Sequence, residues 1–115
     1  MKCPICNVEL KKTKKFNVEV DYCPECRGIW FDKGEIKKIS DGVEKFNFPE
    51  PDTSKLSIAT THEKSFPCPV CSAKMVKYTD KTNKTIFDAC IKGHGYWFED
   101  MEFEQYVRDN LSFNQ

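Results

Sequence analysis

The cysteines of this chain are arranged in pairs whose spacing suits a metal ion. Cys3 and Cys6 are separated by two residues, and so are Cys23 and Cys26. Two intervening residues allow both sulfurs of a pair to face one point, and thiolates arranged in this way are typical ligands of Zn²⁺. The segment between the pairs is long enough for a β-hairpin that returns the second pair to the first. These four cysteines therefore predict one tetrahedral zinc site.

The second half of the chain repeats this arrangement with one change of ligand type. Cys68 and Cys71 form a third pair, whereas Cys90 and His94 are separated by three residues. The imidazole is longer than a thiol, which accounts for the additional residue, and three thiolates with one imidazole complete a tetrahedron. His62 stands apart from these residues and is interpreted as a solvated side chain. The seven cysteines and His94 thus complete two sites with no cysteine left over.

Two complete sites predict binding rather than catalysis. A catalytic zinc ion normally keeps one coordination position open, whereas each of these sites has four protein ligands. We therefore predict two structural Zn²⁺ ions and no enzymatic activity. An iron centre of the rubredoxin type uses similar cysteine pairs, but the short spacer and His94 favour zinc. Redox catalysis by one cysteine pair is disfavoured because every cysteine has partners for a closed site.

The composition is consistent with metal as a stabiliser of the fold. Each half of the chain has about fifty residues, near the size at which a hydrophobic core alone becomes marginal. The formal net charge is zero, and two zinc ions with seven thiolates would change it to about −3. This balance predicts no general attraction to nucleic acid. The odd number of cysteines and the lack of an apolar signal segment argue against disulfides and predict a cytoplasmic protein without membrane association.

The pattern of apolar residues predicts the hairpins that carry the ligands. Apolar and polar residues alternate on both sides of the lysine-rich segment 11–15. Period-two alternation around a polar segment predicts a β-hairpin, here with lysines at its tip. A second hairpin is predicted after Cys71, with its turn within residues 79–84.

A short helix is predicted after each hairpin. Asp32 and Glu35 occupy the positions of a capping box at the start of the first helix. The second helix is predicted to start near Glu99 or Asp100. Glu99 and Glu102 repeat the first acidic pair, and both pairs are interpreted as caps rather than catalytic carboxylates. The predicted apolar stripes are Ile36, Ile39, Val43 and Phe46 in the first helix, and Phe103, Tyr106, Val107 and Leu111 in the second.

Together these elements predict a small, metal-dominated α+β fold with two tandem zinc ribbons. Each ribbon is a β-hairpin with zinc-binding turns, followed by a short helix. We place the first ribbon in residues 1–46, a linker in residues 47–65 and the second ribbon in residues 66–115. The linker is predicted from its proline, serine and threonine content. Its apolar segment 56–58 could form a short strand against one ribbon.

Two groups of residues are candidates for contact with a partner. Lysines crowd the first hairpin and could lie against phosphates, although exposed turns are also rich in lysine for solubility. The tryptophan of each Trp-Phe pair could stack on bases or anchor a protein. Alternatively these pairs supply core, and we expect at least one aromatic residue of each pair to pack. The candidate partner-binding residues are Lys11, Lys12, Lys14, Lys15, Trp30 and Trp97.

The sequence around these residues resembles the transcription factor IIB-type zinc ribbon family. Its members have a Cys-Pro-x-Cys pair, a hairpin, and the motif Cys-Pro-x-Cys-x-Gly-x-Trp-Phe-Asp-x-Gly-Glu, which residues 23–35 match. The second half is similar to a divergent copy that has His94 as a ligand and departs from the motif at Glu99 and Met101. The resemblance implies zinc ribbons, whereas activity has to be argued separately because fold alone does not determine it.

We therefore predict a recognition module that contacts nucleic acid or the transcription machinery. An adaptor that binds proteins without nucleic acid is the nearest alternative, and salt-insensitive association would distinguish it. A zinc store or thiol redox sensor is a third possibility, which predicts loss of metal under mild oxidation. The sequence indicates no small-molecule substrate and does not identify the partner.

Overall fold

The computed structural model describes residues 1–41, 51, 56–59, 64–79 and 85–109. The strands are β1 (Lys11–Lys15), β2 (Val18–Tyr22), β3 (Ile29–Asp32), β4 (Ser57–Ile58), β5 (Val76–Thr79), β6 (Ile86–Ala89) and β7 (Gly95–Phe98). The helices are α1 (Glu35–Asp41) and α2 (Glu102–Asp109). The predicted α+β fold class with two metal-ligand clusters is confirmed.

The strands form one antiparallel sheet in the order β1-β2-β3-β7-β6-β5-β4. β3 and β7 are neighbours at its centre, where Trp30 lies opposite Trp97 and Phe31 lies opposite Tyr96. Exchanging the two halves leaves the pairing of Trp30 with Trp97 unchanged, so an approximate two-fold axis passes between these residues. Six strands thus form two related triplets, β1-β2-β3 and β7-β6-β5, and β4 adds to one edge.

The segment predicted as a linker contributes to this sheet. Ile58 of β4 lies opposite Tyr78 of β5, and Leu56 packs against the core. The short strand considered for residues 56–58 is therefore present at 57 and 58. The domain boundaries at residues 46 and 66 stay a prediction, since much of the intervening segment lies outside the described residues.

The sheet has a different core on each face. Neighbouring side chains on a strand point to opposite faces, so Phe31 and Trp30 belong to separate buried clusters. One cluster lies under the helices, and Phe31 contacts Phe103 of α2 with ring centroids 4.4 Å apart. Its helical members are Ile36, Ile39, Phe103, Tyr106 and Val107. The other cluster contains both tryptophans and four of the cysteines. The predicted stripe residues Val43, Phe46 and Leu111 lie outside the described residues.

The first hairpin differs from its prediction in the position of the turn. The lysines lie within β1 rather than at the tip, and the turn consists of Phe16 and Asn17. Both residues have positive φ, at 49° and 67°, as in a type I′ turn, whose twist matches that of the flanking strands. Asparagine adopts positive φ more readily than most residues. The turn geometry, rather than the polarity of the lysines, therefore determines where the chain reverses.

Both helices begin with the same cap. The Asp32 backbone N–H donates a hydrogen bond to the Glu35 carboxylate at 2.7 Å, and the Glu99 backbone N–H donates to the Glu102 carboxylate at 2.8 Å. These bonds are one arm of the predicted capping box. Helix α2 begins at Glu102, later than the predicted start near Glu99 or Asp100. Neither helix is long and apolar enough to cross a membrane.

The residue before each cap adopts a left-handed conformation. Gly34 has a φ of +93°, and Met101, at the equivalent position of the second half, has a φ of +70°. A side chain at positive φ costs about 1–2 kcal/mol, part of which is offset by the greater chain entropy of glycine in the unfolded state. Since Met101 is 61% exposed, its removal loses little packing. We expect Met101→Gly to raise the free energy of unfolding by about 0.5–1 kcal/mol, measured by denaturant unfolding of the metal-loaded protein.

The reverse exchange is the matched control for this prediction. Gly34→Met places a side chain at the same backbone conformation, with no atom within 4 Å of the new Cβ. It should lower the free energy of unfolding by a similar amount. Equal stability of both variants and the wild-type protein would contradict the argument from φ.

Candidate metal centres

The first four predicted ligands converge on one point. The Sγ atoms of Cys3, Cys6, Cys23 and Cys26 all lie within 4.8 Å of one another. The Cys3 and Cys26 sulfurs, which come from different pairs, are 3.7 Å apart. Cys3 and Cys23 are buried, Cys6 and Cys26 are half-buried, and none of the four forms a disulfide. This cluster could hold one metal ion.

The second four predicted ligands form an equivalent cluster. The sulfurs of Cys68, Cys71 and Cys90 and one ring nitrogen of His94 also lie within 4.8 Å of one another. The sulfurs of Cys71 and Cys90 are 3.6 Å apart, and Nδ1 of His94 lies 3.4 Å from the Cys90 sulfur. The structure thus brings together all eight residues that the sequence predicts as ligands.

The distances between donor atoms fit a tetrahedral zinc ion. With Zn–S bonds of about 2.3 Å and Zn–N bonds of about 2.05 Å, a tetrahedron has edges of about 3.8 Å between sulfurs and about 3.6 Å between sulfur and nitrogen. The separations of 3.7 and 3.6 Å between sulfurs and of 3.4 Å between sulfur and nitrogen are close to these values. Thiolate and imidazole donors suit zinc rather than magnesium or calcium. Four protein ligands leave no position open for a substrate, so such an ion would be structural.

Backbone hydrogen bonds shape the turns that carry the ligands. In the first pair, the Cys6 N–H donates to the Cys3 sulfur at 3.2 Å, and the Asn7 N–H donates to the Cys3 carbonyl at 3.0 Å. In the third pair, the Ser72 N–H donates to the Cys68 carbonyl at 2.8 Å. Asn7 and Ser72 both have positive φ, at 60° and 65°, which closes each turn. N–H groups that point at sulfur favour the thiolate that a metal ion requires.

Residues 2–42 match the TFIIB-type zinc ribbon family, described as a transcription factor zinc-finger. The matched segment contains the first cluster, strands β1 to β3 and helix α1. No curated protein and no solved structure matches the chain. The match indicates zinc as the metal of the first ribbon, and the donor geometry of the second cluster fits the same ion.

The thiols of the second cluster differ in acidity. Burial raises the pKa of Cys68 to about 11, although backbone N–H groups that point at its sulfur oppose the shift. Burial acts in the same direction on Cys90, but the N–H groups of His94 and Lys92 and the His94 ring outweigh it and lower the pKa of Cys90 to about 6. Cys90 therefore supplies a thiolate at neutral pH. Cys68 would release its proton when metal binds, so metal affinity at this site falls as pH decreases.

The predicted role of Trp30 and Trp97 in partner binding has to be corrected. Both tryptophans are 0% exposed and pack with the ligand cysteines on the face opposite the helices. Neither indole ring can stack on a base or anchor a partner in this fold. Phe31 and Phe98 are also fully buried, on the helix side. Packing was expected for at least one aromatic residue of each pair, and it applies to both because the two faces of the sheet are both covered.

The two tryptophans differ in their hydrogen bonding. The Trp30 indole N–H donates to the Asp32 carboxylate at 2.9 Å, whereas the buried Trp97 indole N–H has no acceptor in the part of the chain that the structure describes. Glu99 occupies the position equivalent to Asp32 and is one methylene longer. An unsatisfied buried donor costs about 1–3 kcal/mol. We expect Glu99→Asp to supply the acceptor and to raise the free energy of unfolding by about 1 kcal/mol, measured by denaturant unfolding.

A matched substitution in the first ribbon tests the same bond in reverse. Asp32→Glu should lower the free energy of unfolding by about 1 kcal/mol, because it withdraws the acceptor from Trp30. If Glu99→Asp leaves the free energy of unfolding unchanged while Asp32→Glu lowers it, the Trp97 indole N–H does not lack an acceptor in the wild-type protein and the prediction is wrong.

The candidate lysines lie along the edge strand β1, but only part of the group is available for contact. Lys12 pairs with Asp21 at 2.9 Å, and Lys15 pairs with Glu104 of α2. The exposed members of this group of four lysines are Lys11, Lys12 and Lys14. Lys11 and Lys14 make no ion pair within the described ranges of the chain. Lys11 and Lys14 thus remain as candidates that form no ion pair among the described residues, although Glu19 lies opposite Lys14 on β2.

Proposed function

We propose that this protein is a recognition module that contacts nucleic acid or the transcription machinery, in which two zinc ions are structural and the first hairpin is the contact surface for nucleic acid. The observation that supports this function best is the pair of four-ligand clusters. With no open coordination position, bound zinc would organise surfaces instead of activating a substrate or water. The family match to a transcription factor zinc-finger supports the same role for the first ribbon.

We also propose that residues 66–115 are a second, divergent zinc ribbon and that residues 1–46 are the first. The backbone hydrogen bonds of the metal-binding turns support this relationship, because the Cys23 N–H donates to the Gly28 carbonyl at 2.9 Å and the Cys90 N–H donates to the Gly95 carbonyl at 3.1 Å. The two-fold relation of the strand triplets supports it as well. The proposed zinc ligands are Cys3, Cys6, Cys23, Cys26, Cys68, Cys71, Cys90 and His94.

The outer edge of β1 is the surface that we assign to nucleic acid. Lys11 and Lys14 are exposed there on opposite faces of the strand. Lysine side chains are long and flexible, so a phosphate backbone that follows the strand edge could reach both ammonium groups. Phe16, in the adjoining turn, is 44% exposed and offers a ring for base stacking. This phenylalanine replaces the buried tryptophans as the aromatic candidate. The sequence did not identify it, because the alternation on both sides of segment 11–15 places residue 16 in a strand.

Fluorescence anisotropy at several salt concentrations tests the proposal. Zinc-loaded protein is titrated against single- and double-stranded DNA and RNA, with chelated protein as a control. We expect binding that depends on zinc and weakens as the salt concentration rises. The slope of log affinity against log salt concentration should correspond to about three phosphates. The double variant Lys11→Glu/Lys14→Glu should weaken binding and reduce the slope by about 2. Lys33→Glu/Lys38→Glu makes the same charge change at exposed lysines outside β1 and should have a smaller effect. No binding at low salt would overturn the nucleic-acid proposal.

A protein-interaction adaptor is the second candidate function, favoured by a partly apolar groove that β4 forms with the second ribbon. Ile58 and Ile91 are 70% and 64% exposed and line a groove of about 280 Å³ together with Met75 and Val76. Association with a protein partner would support this function if the affinity does not change with salt and the association is lost in the Ile91→Asp variant. Release of zinc under mild oxidation would instead favour the third candidate, a zinc store or redox sensor.

A further inference from the structure

We infer that Trp30 and Trp97 are positioning residues that couple the two metal sites, so that zinc at either site increases the zinc affinity of the other. The inference rests on the proposed zinc binding and goes beyond it by assigning a function to the interface between the ribbons. Its basis is that each tryptophan packs against the metal-binding turn of the opposite ribbon.

Gly28 shows the first of these two contacts. It closes the turn that carries Cys23 and Cys26, since the Cys23 N–H donates to its carbonyl at 2.9 Å. A Cβ atom on Gly28 would lie 2.1 Å from Cζ2 and 2.7 Å from Cη2 of Trp97. The six-membered ring of Trp97 therefore lies directly on the Gly28 backbone. The turn of the first site is supported by a side chain of the second ribbon.

Gly95 shows the reciprocal contact. It follows His94 and accepts a hydrogen bond from the Cys90 N–H at 3.1 Å. A Cβ atom on Gly95 would lie 2.8 Å from Cζ2 of Trp30 and 2.2 Å from the carbonyl oxygen of Phe31. The turn of the second site thus packs against the central strand of the first ribbon. Only glycine permits this approach at both turns.

The two contacts belong to one buried cluster. It contains Trp30, Trp97 and one cysteine from each ligand pair, namely Cys3, Cys23, Cys68 and Cys90. Trp30 and Trp97 also lie opposite each other on β3 and β7, so the position of either indole depends on strands from both ribbons. Zinc that orders one ribbon places its tryptophan and thereby orders the metal-binding turn of the other.

The energetic consequence follows from the link between metal binding and folding. Where the ligands are not preformed, part of the metal-binding free energy is used to order the chain. Ordering the shared sheet on the first binding event removes this cost from the second event. Coupling between sites commonly changes affinity by about 5- to 150-fold, and the reciprocal contact of two fully buried tryptophans leads us to expect a change of at least about tenfold.

A thermodynamic cycle of zinc affinities tests the coupling. Cys71→Ser disables the second site and allows the affinity of the first site to be measured alone, and Cys6→Ser allows the converse. Competition with a chelator of known affinity gives both single-site constants and the overall two-zinc constant of the wild-type protein. We expect the overall constant to exceed the product of the single-site constants at least about tenfold. If a single-site variant binds zinc too weakly for the assay, the ratio of the overall constant to the product of the single-site constants is larger still, which supports coupling.

Glycine variants show whether the tryptophan contacts carry the coupling. Gly28→Ala changes the turn of the first site, yet it should also weaken zinc binding at the second site at least about tenfold, because it displaces Trp97. Gly34→Ala is the control, since Gly34 has positive φ but no atom within 4 Å of a new Cβ. It should leave the ratio of constants unchanged. A ratio near one in the wild-type protein, with zinc bound at both sites, would overturn the coupling alone. Absence of zinc binding in the wild-type protein would overturn both the coupling and the proposed function.

Discussion

Removal of zinc is expected to unfold the whole protein. Structural zinc sites contribute apparent binding free energies of about 10–16 kcal/mol at neutral pH, whereas an entire small domain is stable by about 5–15 kcal/mol. Here each site joins two turns, and one face of the sheet has a core built largely from ligand cysteines and the two tryptophans. Without metal, that face retains too little apolar packing to hold the sheet. We expect chelation to remove the cooperative thermal transition seen by far-ultraviolet circular dichroism.

The buried tryptophans provide a direct measurement of this unfolding. Trp30 and Trp97 are 0% exposed, so their fluorescence emission should shift to longer wavelength when the chelator exposes them to water. Addition of excess zinc should restore the original emission, which separates metal loss from irreversible damage. Retention of the native emission and thermal transition in protein shown to be metal-free would contradict the structural role of zinc.

Loss of the Lys77 ammonium group is expected to destabilise the protein by about 3–5 kcal/mol. Lys77 and Asp88 lie opposite each other on β5 and β6, with side chains only 5% and 2% exposed. The ammonium group donates to both carboxylate oxygens, at 3.0 and 3.3 Å, and lies 5.2 Å from the centroid of the Phe66 ring. Lys77→Met removes the counter-ion that Lys77 provides to the buried Asp88 carboxylate. Denaturant unfolding of the zinc-loaded variant measures the loss.

The first ribbon offers a matched control for this substitution. Lys37 pairs with Asp41 at 3.0 Å, and both side chains are exposed, at 69% and 64%. Water can replace this lysine, so Lys37→Met should cost at most about 1 kcal/mol. The double variant Lys77→Met/Asp88→Leu should recover most of the lost stability, because a buried ion pair can be replaced by apolar residues at little cost. Equal losses for Lys77→Met and Lys37→Met would contradict the importance of burial.

The repeat relates the two ribbons in detail and also shows where the second has diverged. Glu99 and Met101 are the positions at which the second half departs from the motif of the first. Glu99 takes the place of the aspartate that would accept from the Trp97 N–H, which has no acceptor among the described residues, and Met101 places a side chain at positive φ. We expect both departures to lower the free energy of unfolding. Introducing the residues of the first ribbon at these two positions, Glu99→Asp and Met101→Gly, should therefore stabilise the second.

The sequence alone determined the features that depend on near neighbours along the chain. Two residues between cysteines define each ligand pair, and the fourth ligand His94 follows from the same short-range spacing. The capping glutamates Glu35 and Glu102 were predictable because a capping box spans one helical turn. The first hairpin was also predictable from its alternation, although the position of its turn was not, because a turn at Phe16 and Asn17 requires backbone angles that polarity does not encode.

Only the tertiary structure decided how the ribbons are joined. Trp30 and Phe31 stand in a continuous apolar run, so the sequence did not predict the strand β3, which directs them to opposite faces, or what covers each face. The pairing of β3 with β7 brings together residues far apart in sequence, and such pairing depends on the packing of complete surfaces. That pairing buries the tryptophans that were candidates for partner contact, and it gives Gly28 and Gly95 their function, since each glycine makes room for an indole ring of the other ribbon.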